Sequence, residues 1–432
     1  MAVLPKIKSS VRASVGQYRG LRKEIYILFI ARIINSVGAF VHPLLALILT
    51  DKIGFKTDEA GLFSSLLLLV QVPIMLLGGK LADKFGRVKL AVIFQFCGAA
   101  AYIVCGLMQP SHGMVVMIAV ASCLYAITYP ALDAMSMDLT VAGQRKEAFA
   151  LLYMGFNLGF VIGPALGGFF YEHFLQWLFI GDALTTIIST TLLCVFIKET
   201  LPKQKEKAVT APPDLEREVK GSVWRVLMQR KVLLVFAVVM MLFQFAYSQW
   251  AFNLPLQMKA QMPDTGAAAY GWLASYNGLF VIIFTPILAL IIRRWRVMVG
   301  AAVGGLLYAA AFFMLIFIHA LPLYYISMTV LTLGEIIMTI DSQAFIADYS
   351  PSSHRGRLDS VVSSISNFGR VVSPMVVGSI VAAHDLSAGW WAVSLTALVG
   401  GVLLIGIIRS GIFKAHKVGE VQKAEETREA TL

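Results

Sequence analysis

The stretch "LLGGKLADKFGRVKL", residues 76–90, decides how this chain is read. Lys80, Asp83, Lys84, Arg87 and Lys89 stand together between two apolar runs, at 59–79 and 90–108. Each run is long enough to cross a bilayer, which takes about 20 apolar residues. A charged knot between two such runs reads as the turn where the chain leaves one membrane span and enters the next.

The whole chain follows this pattern. It has 432 residues, 58% hydrophobic and 14% charged, against about 25% charged in soluble domains. Its net charge of +11 is not spread as a nucleic-acid patch would be. Lys and Arg lie chiefly in the termini and in alternate connections, which is a topology signal. The polar N-terminus precedes a run of full span length, so it is not expected to be a cleaved signal. Cys97, Cys105, Cys123 and Cys194 all fall in apolar runs and are expected as small buried hydrophobes. The His and Cys residues show no metal-ligand spacing. No metal and no cofactor is expected.

Twelve spans are read, at 24–50, 59–79, 90–108, 114–137, 148–170, 174–197, 232–255, 268–292, 297–319, 322–347, 360–382 and 388–408. Lys52, Lys56 and Lys259 are the basic residues of the odd-to-even connections, so both termini are expected in the cytoplasm. The charged, proline-containing stretch 198–231 reads as a linker between halves at 1–197 and 232–408, with a tail at 409–432. Sliding the chain by 210 residues aligns "DLTVAGQRKEAFALLYMGFNLGFVIGPALGG" (138–168) with "DYSPSSHRGRLDSVVSSISNFGRVVSPMVVG" (348–378). Asp, Arg, Asn, Gly and Pro coincide in one ungapped frame, from Asp138 on Asp348 to Pro164 on Pro374. The fold class is therefore all-α, a polytopic membrane protein of two pseudo-symmetric six-helix bundles. Parallel repeats of this kind form carriers whose site lies near the midplane.

"GKLADKFGRVKL" (79–90) resembles the signature after the second span of the major facilitator superfamily. "GFVIGPALGG" (159–168) resembles the fifth-span signature of its drug:proton antiporters, carried here by Gly159, Gly163, Pro164, Gly167 and Gly168. "LGEIIMTIDSQAFIAD" (333–348) resembles bacterial multidrug exporters with a Gly-Glu pair in the tenth span. The resemblance implies that Glu335 couples transport to protons and binds cationic drugs. It implies too that Asp83, in a gating motif with Gly79, Gly86 and Arg87, meets the start of the eleventh span near Asp359 and Ser360. Two positions depart from relatives: Leu152 stands where some carry an acid, and "LYAITYPALDA" (124–134) has no Arg.

Charges inside spans are costly, at least about 2.5–3.5 kcal/mol each, and usually face a cavity or a partner. Glu335 and Arg370 lie mid-span, and Arg370 is placed to neutralise Glu335. Asp341, Asp133 and Arg32 are further proton-coupling candidates. Arg32 either pairs with Asp133 or snorkels to the surface. Asp138 is expected to meet Arg87. Asp182 is expected at the periphery, since the sixth span is usually an outer one in the family resembled. Gln244, Tyr247, Gln249 and Asn253 mix amides and aromatics in the seventh span, and with Asn277, Tyr153 and Asn157 they are the substrate-wall candidates.

These features point to a proton-coupled exporter of small amphipathic molecules, a multidrug range included. It is expected to be a monomer in the plasma membrane, with small molecules, protons and lipid as partners. The alternative is a specific metabolite, siderophore or sugar transporter of the same superfamily. A non-transporting receptor gives no role to Glu335 and Arg370 at lipid depth. An enzyme or ATP-driven pump lacks its residues: there is no nucleophile–base set and no phosphate loop.

Overall fold

In the computed structural model, residues 20–140, 144–201, 231–292, 295, 297–349 and 355–410 are described. Most of the expected linker and tail, and the N-terminal segment, lie outside them. Twelve helical spans are present: span 1 Lys23–Lys52, span 2 Thr57–Phe85, span 3 Arg87–Leu107, span 4 His112–Asp138, span 5 Glu147–His173 and span 6 Leu175–Phe196. The second set is span 7 Leu233–Gln261, span 8 Gly266–Ile292, span 9 Met298–Leu315, span 10 Leu321–Ser342, span 11 Val361–Ala383 and span 12 Leu386–Arg409. Among the described residues there is no strand. Helix is the form these sequences must take, because lipid offers the backbone no hydrogen-bond partner. Large apolar side chains stay exposed along the spans, Leu66, Leu69 and Val70 among them, as a lipid-facing surface requires.

Four observations correct the expected details. The knot at 76–90 is mostly helix: span 2 runs on through Phe85, only Gly86 breaks the chain, and span 3 starts at Arg87. Gly79 therefore lies inside a helix, and Gly86 alone turns the chain, with φ +105°. Cys105 is buried, but Cys97 and Cys194 are exposed. Spans 1 and 7 are broken: helix Lys23–Val37 stops before a short helix at His42, and helix Lys231–Tyr247 before a 3-10 turn Ser248–Trp250. Val37 and Tyr247 are 210 residues apart, so the two breaks obey the repeat.

The packing also divides differently from chain order. One compact unit holds 1–56, 66–210 and 254–282; the other holds 57–65, 211–253 and 283–432. The segment 254–282, expected with the second half, packs with the first, and 57–65 packs with the second. In the first unit span 3 lies against span 6 and span 1 against spans 5 and 6; in the second, span 9 lies against spans 10 and 12, and span 7 against span 11.

What ties the exchanged segments in place is a pair of matched joints. In the second unit, Gly61 lies against the backbone carbonyl of Pro374. In the first, Gly271 lies against the carbonyl of Pro164. Next to them, Met375 N–H donates to Ser65 Oγ at 3.0 Å, and Ala165 N–H donates to Ser275 Oγ at 3.2 Å. All four positions of one joint map on the other by the 210-residue shift. A proline inside a helix disrupts the backbone ladder, and the serine of the facing helix takes up a nearby N–H. The glycines are required by contact: any Cβ would fall on a carbonyl oxygen.

Gly61→Ala and Gly271→Ala are each expected to destabilise the protein by about 1–3 kcal/mol, the cost of overpacking a tight contact. Gly406, whose Cβ would meet nothing within 4 Å, is the control: Gly406→Ala should be neutral or stabilising by up to about 1 kcal/mol. Thermal unfolding of the purified variants checks both.

Candidate functional site

Glu335 is the central residue of helix Leu321–Tyr349, and Arg370 is one residue past the centre of helix Arg355–Ala383. The structure brings both to Tyr247, the last residue before the break in span 7. The Tyr247 hydroxyl hydrogen-bonds with Glu335 and lies within electrostatic reach of Arg370. The Tyr247 ring stacks on Tyr308 of span 9, with centroids 5.6 Å apart and planes 23° apart. Tyr308 in turn lies over Gly334, where a Cβ would come within 2.9 Å of its ring. The Gly of the Gly-Glu pair thus has a packing reason: it lets spans 9 and 10 approach and seats the tyrosine that supports Glu335's partner. The sequence singled out Tyr247 as a wall residue and missed Tyr308.

Asp341 is elsewhere. Its carboxylate accepts the Ala301 N–H at 2.8 Å, at the fifth residue of the helix Val297–Leu315. A carboxylate near a helix N-terminus complements the dipole, and Asp341 anchors span 10 to span 9. Arg32 and Asp133 do meet, at 3.8 Å, with side chains 38% and 65% exposed. That is a loose pair, worth at most about 1 kcal/mol.

The amide candidates divide. Gln249 and Asn253 are fully buried. Gln249 donates to Ser373 Oγ at 2.5 Å, and Asn253 packs on Gly389. Both sit in the packing around the span 7 break, and among the described residues Gln249 Oε1 and both polar atoms of Asn253 have no hydrogen-bond partner. Asn157 is buried and donates back to the Tyr153 carbonyl at 2.9 Å, and Asn277 is buried as well. Gln244 is half-buried and Tyr153 is exposed.

At the knot, Arg87 pairs with Asp138, donates to the Ala134 carbonyl at 3.2 Å, and lies 3.7 Å from Asp83. Asp83 itself is 71% exposed. The side chains of Asp359 and Ser360 are outside the described residues. A residue not foreseen completes this joint. Glu199, just past span 6, accepts from the backbone N–H groups of Arg87 (2.8 Å), Val88 (3.4 Å) and Lys89 (3.3 Å). It caps span 3, and a Cβ at Gly86 would strike its carboxylate. Partial burial pushes its carboxyl up, but the backbone donors of Leu201, Arg87, Lys89 and Val88 outweigh that and hold it below the ordinary value of 4.5. In span 9, the repeat partner of span 3, Asp341 binds one turn further in, at Ala301, the counterpart of Ala91. The two carboxylates come from different places and bind at different registers, so the repeat in sequence revealed neither.

The fifth-span glycines grip span 1. Gly159 lies against Ile33 and Ser36, Gly163 against Ser36 and Val37, and Gly167 against Phe40. Gly168 lies against Ala267 of span 8. Asp182, expected at the periphery, is buried at the break of span 1. At the far ends of spans 1, 5 and 7 a second unforeseen cluster forms. Lys259 pairs with Glu172 at 2.8 Å, with side chains 16% and 7% exposed, and Glu172 also accepts from Ala267 N–H at 2.9 Å. Tyr171 lies between Lys52 and Lys259, 4.7 and 5.6 Å from its ring, and donates to Asp51 at 2.7 Å. Lys52 and Lys259 had registered only as exceptions to the charge rule.

A model of the Major Facilitator Superfamily matches residues 28–340 and 264–429. The chain belongs to the major facilitator superfamily. A Na(+), Li(+), K(+)/H(+) antiporter of Planococcus maritimus is 24% identical, over 79% of this chain and 86% of the relative. The class H tetracycline resistance protein of Pasteurella multocida is 22% identical, over 92% and 98%. The nucleoside transporter NupG shares the fold, with TM-score 0.72, 17% identity and coverage of 90% and 99%. This superfamily member is thus a multi-pass membrane transporter, and its two signatures do packing work that the structure shows.

Two outcomes follow. A carboxylate held below its ordinary value stabilises the fold above that value and loses its effect as pH falls through the folded one. Glu199→Gln should therefore melt below wild type at neutral pH, and the gap should close as pH falls below 4.5. Glu172→Gln leaves Lys259 largely buried without its partner and should cost about 3 kcal/mol. The double variant Glu172→Leu/Lys259→Met should cost less than the sum of its singles, as read from thermal melts.

Proposed function

We propose that this superfamily member is a proton-coupled antiporter that exports small amphipathic molecules, with a multidrug range. The observation that carries the reading is the mid-span cluster of Glu335, Tyr247 and Arg370. An acid at that depth is costly unless it is protonated or partnered. Here it has a hydroxyl that donates to its ionised form, with a guanidinium near that hydroxyl. Protonation of Glu335 changes the charge of the cluster by one, and substrate and proton then bind alternately. Antiport agrees with the Gly159–Gly168 signature and with the name of the Planococcus maritimus relative, and drug export with that of the tetracycline resistance protein. Arg32 and Asp133, exposed on spans 1 and 4, are the companion polar pair. Asp83 serves as a gate residue, and the chain works as a monomer in the plasma membrane with both ends in the cytoplasm.

The test is proton movement in proteoliposomes on adding a panel of chemically unrelated cations and neutral amphipaths. Wild type is expected to move protons with several of them, and Glu335→Gln with none. Tyr247→Phe should keep coupling but shift its pH dependence. Strict dependence on one metabolite selects the specific-transporter alternative.

A further inference from the structure

Asp182 is a buried acid that neither the export reading nor the superfamily signatures use. Its side chain belongs to the first packing unit and is 7% exposed by residue. One oxygen, Oδ2, accepts from Phe40 N–H at 3.2 Å and from Val41 N–H at 3.4 Å. These two donors stand in the gap between helix Lys23–Val37 and the short helix beginning at His42. The Phe40 N–H is shared with the Gly38 carbonyl, at 2.7 Å, and the carboxylate sits at the start of the outer part of span 1, where a broken helix favours an anion.

The surroundings fix the break from every side. Gly38 presses on Thr185 of span 6, and Gly181 lets the Phe40 ring pack above it. Gly159 and Gly163 of span 5 pack on Ser36 and Val37. The Ser36 hydroxyl donates to the Phe156 carbonyl at 2.8 Å. The titratable groups facing Asp182 are Tyr102 of span 3 and Tyr125 of span 4, whose hydroxyls lie within its electrostatic reach, with Tyr129 beyond them. His42, on span 1 itself, is exposed. Among the described residues no Lys, Arg or His forms an ion pair with Asp182.

The repeat shows that charge is not needed to build such a break. Span 7 breaks at the same register, and the residue equivalent to Asp182 there is Ala392. Its break is held by neutral groups instead, with Gln249 on Ser373 and the Ser373 hydroxyl on the Phe245 carbonyl at 2.6 Å. The acid in the first half is thus an addition to a working backbone. An anion without a counter-cation at that depth is expensive, and two N–H donors offset only part of it.

We propose that Asp182 is a second proton-binding site, separate from Glu335, and that its ionisation sets the bend of span 1. Ionised, it holds the Phe40 and Val41 amides and fixes the break. Protonated, it keeps one proton on the carboxyl, accepts more weakly, and frees span 1 to move against the span 5 glycines. The proposal does not need substrate export and is read on the full chain without substrate.

The experiment is hydrogen exchange of residues 36–44 in lipid nanodiscs as a function of pH, corrected for intrinsic rates, with infrared pH-difference spectra of the carboxyl carbonyl. In wild type and in Glu335→Gln, exchange at Val41 should rise roughly tenfold on protonation, the difference between charged and neutral acceptors, and less at Phe40, which keeps the Gly38 carbonyl. Asp182→Asn should remove that pH step and one protonated-carboxyl band. If Asp182→Asn does not fold, Asp182→Glu serves: the band should shift in frequency and the pH step should move. A flat wild-type profile, or a band unchanged in either folded variant, overturns the proposal. So does a pH step lost in Glu335→Gln but kept in Asp182→Asn.

Discussion

The structure hangs on backbone contact at two prolines. Gly61 rests on the Pro374 carbonyl and Gly271 on the Pro164 carbonyl. A side chain at either glycine would hold the helices apart, and the adjacent serine would lose the N–H it accepts. Each joint lies inside one packing unit, yet each joins spans from different halves of the chain. Span 2's first residues and span 8's first two-thirds therefore pack away from their sequence neighbours. The fifth-span signature gains its physical content here: Gly159, Gly163 and Gly167 face span 1, while Pro164 and Gly168 face span 8.

The backbone is repeated, but the charge is not. Both halves break their first span at one register, bind a carboxylate near the start of their third span, and carry a proline inside their fifth span. The first half puts an acid, Asp182, at its break and Glu199 at its third span. The second half puts neutral amides at its break, Asp341 at its third span, and Glu335 with Arg370 at mid-depth. A symmetric scaffold lets spans exchange packing partners without redesign.

The fold was largely legible because lipid imposes it. Apolar runs of span length, separated by charged connections, leave helix as the solution, and the 210-residue shift predicted that Pro164 and Pro374 are equivalent. The same shift equates Gly61 with Gly271 and Ser65 with Ser275, but isolated Gly and Ser in apolar runs carry no signal until a facing carbonyl is seen. The Arg87–Asp138 pair was expected, and Arg32–Asp133 was one of two readings of Arg32. Glu199 and Lys259–Glu172 were not, because charges at span ends carry no depth signal, and Tyr308 was not, because it is one aromatic in an apolar run. Gln249 and Asn253 show a related limit of spelling: an amide buried between helices reads in sequence like one that lines a cavity.

The central functional claim is that a proton on Glu335 and a substrate compete for one cluster. It is tested most directly by separating exchange from coupling in one proteoliposome preparation. Substrate–substrate exchange without a pH gradient should persist in Glu335→Gln, because alternating access remains. Accumulation driven by a pH gradient should vanish in the same variant. Accumulation at the wild-type level in Glu335→Gln would contradict the account.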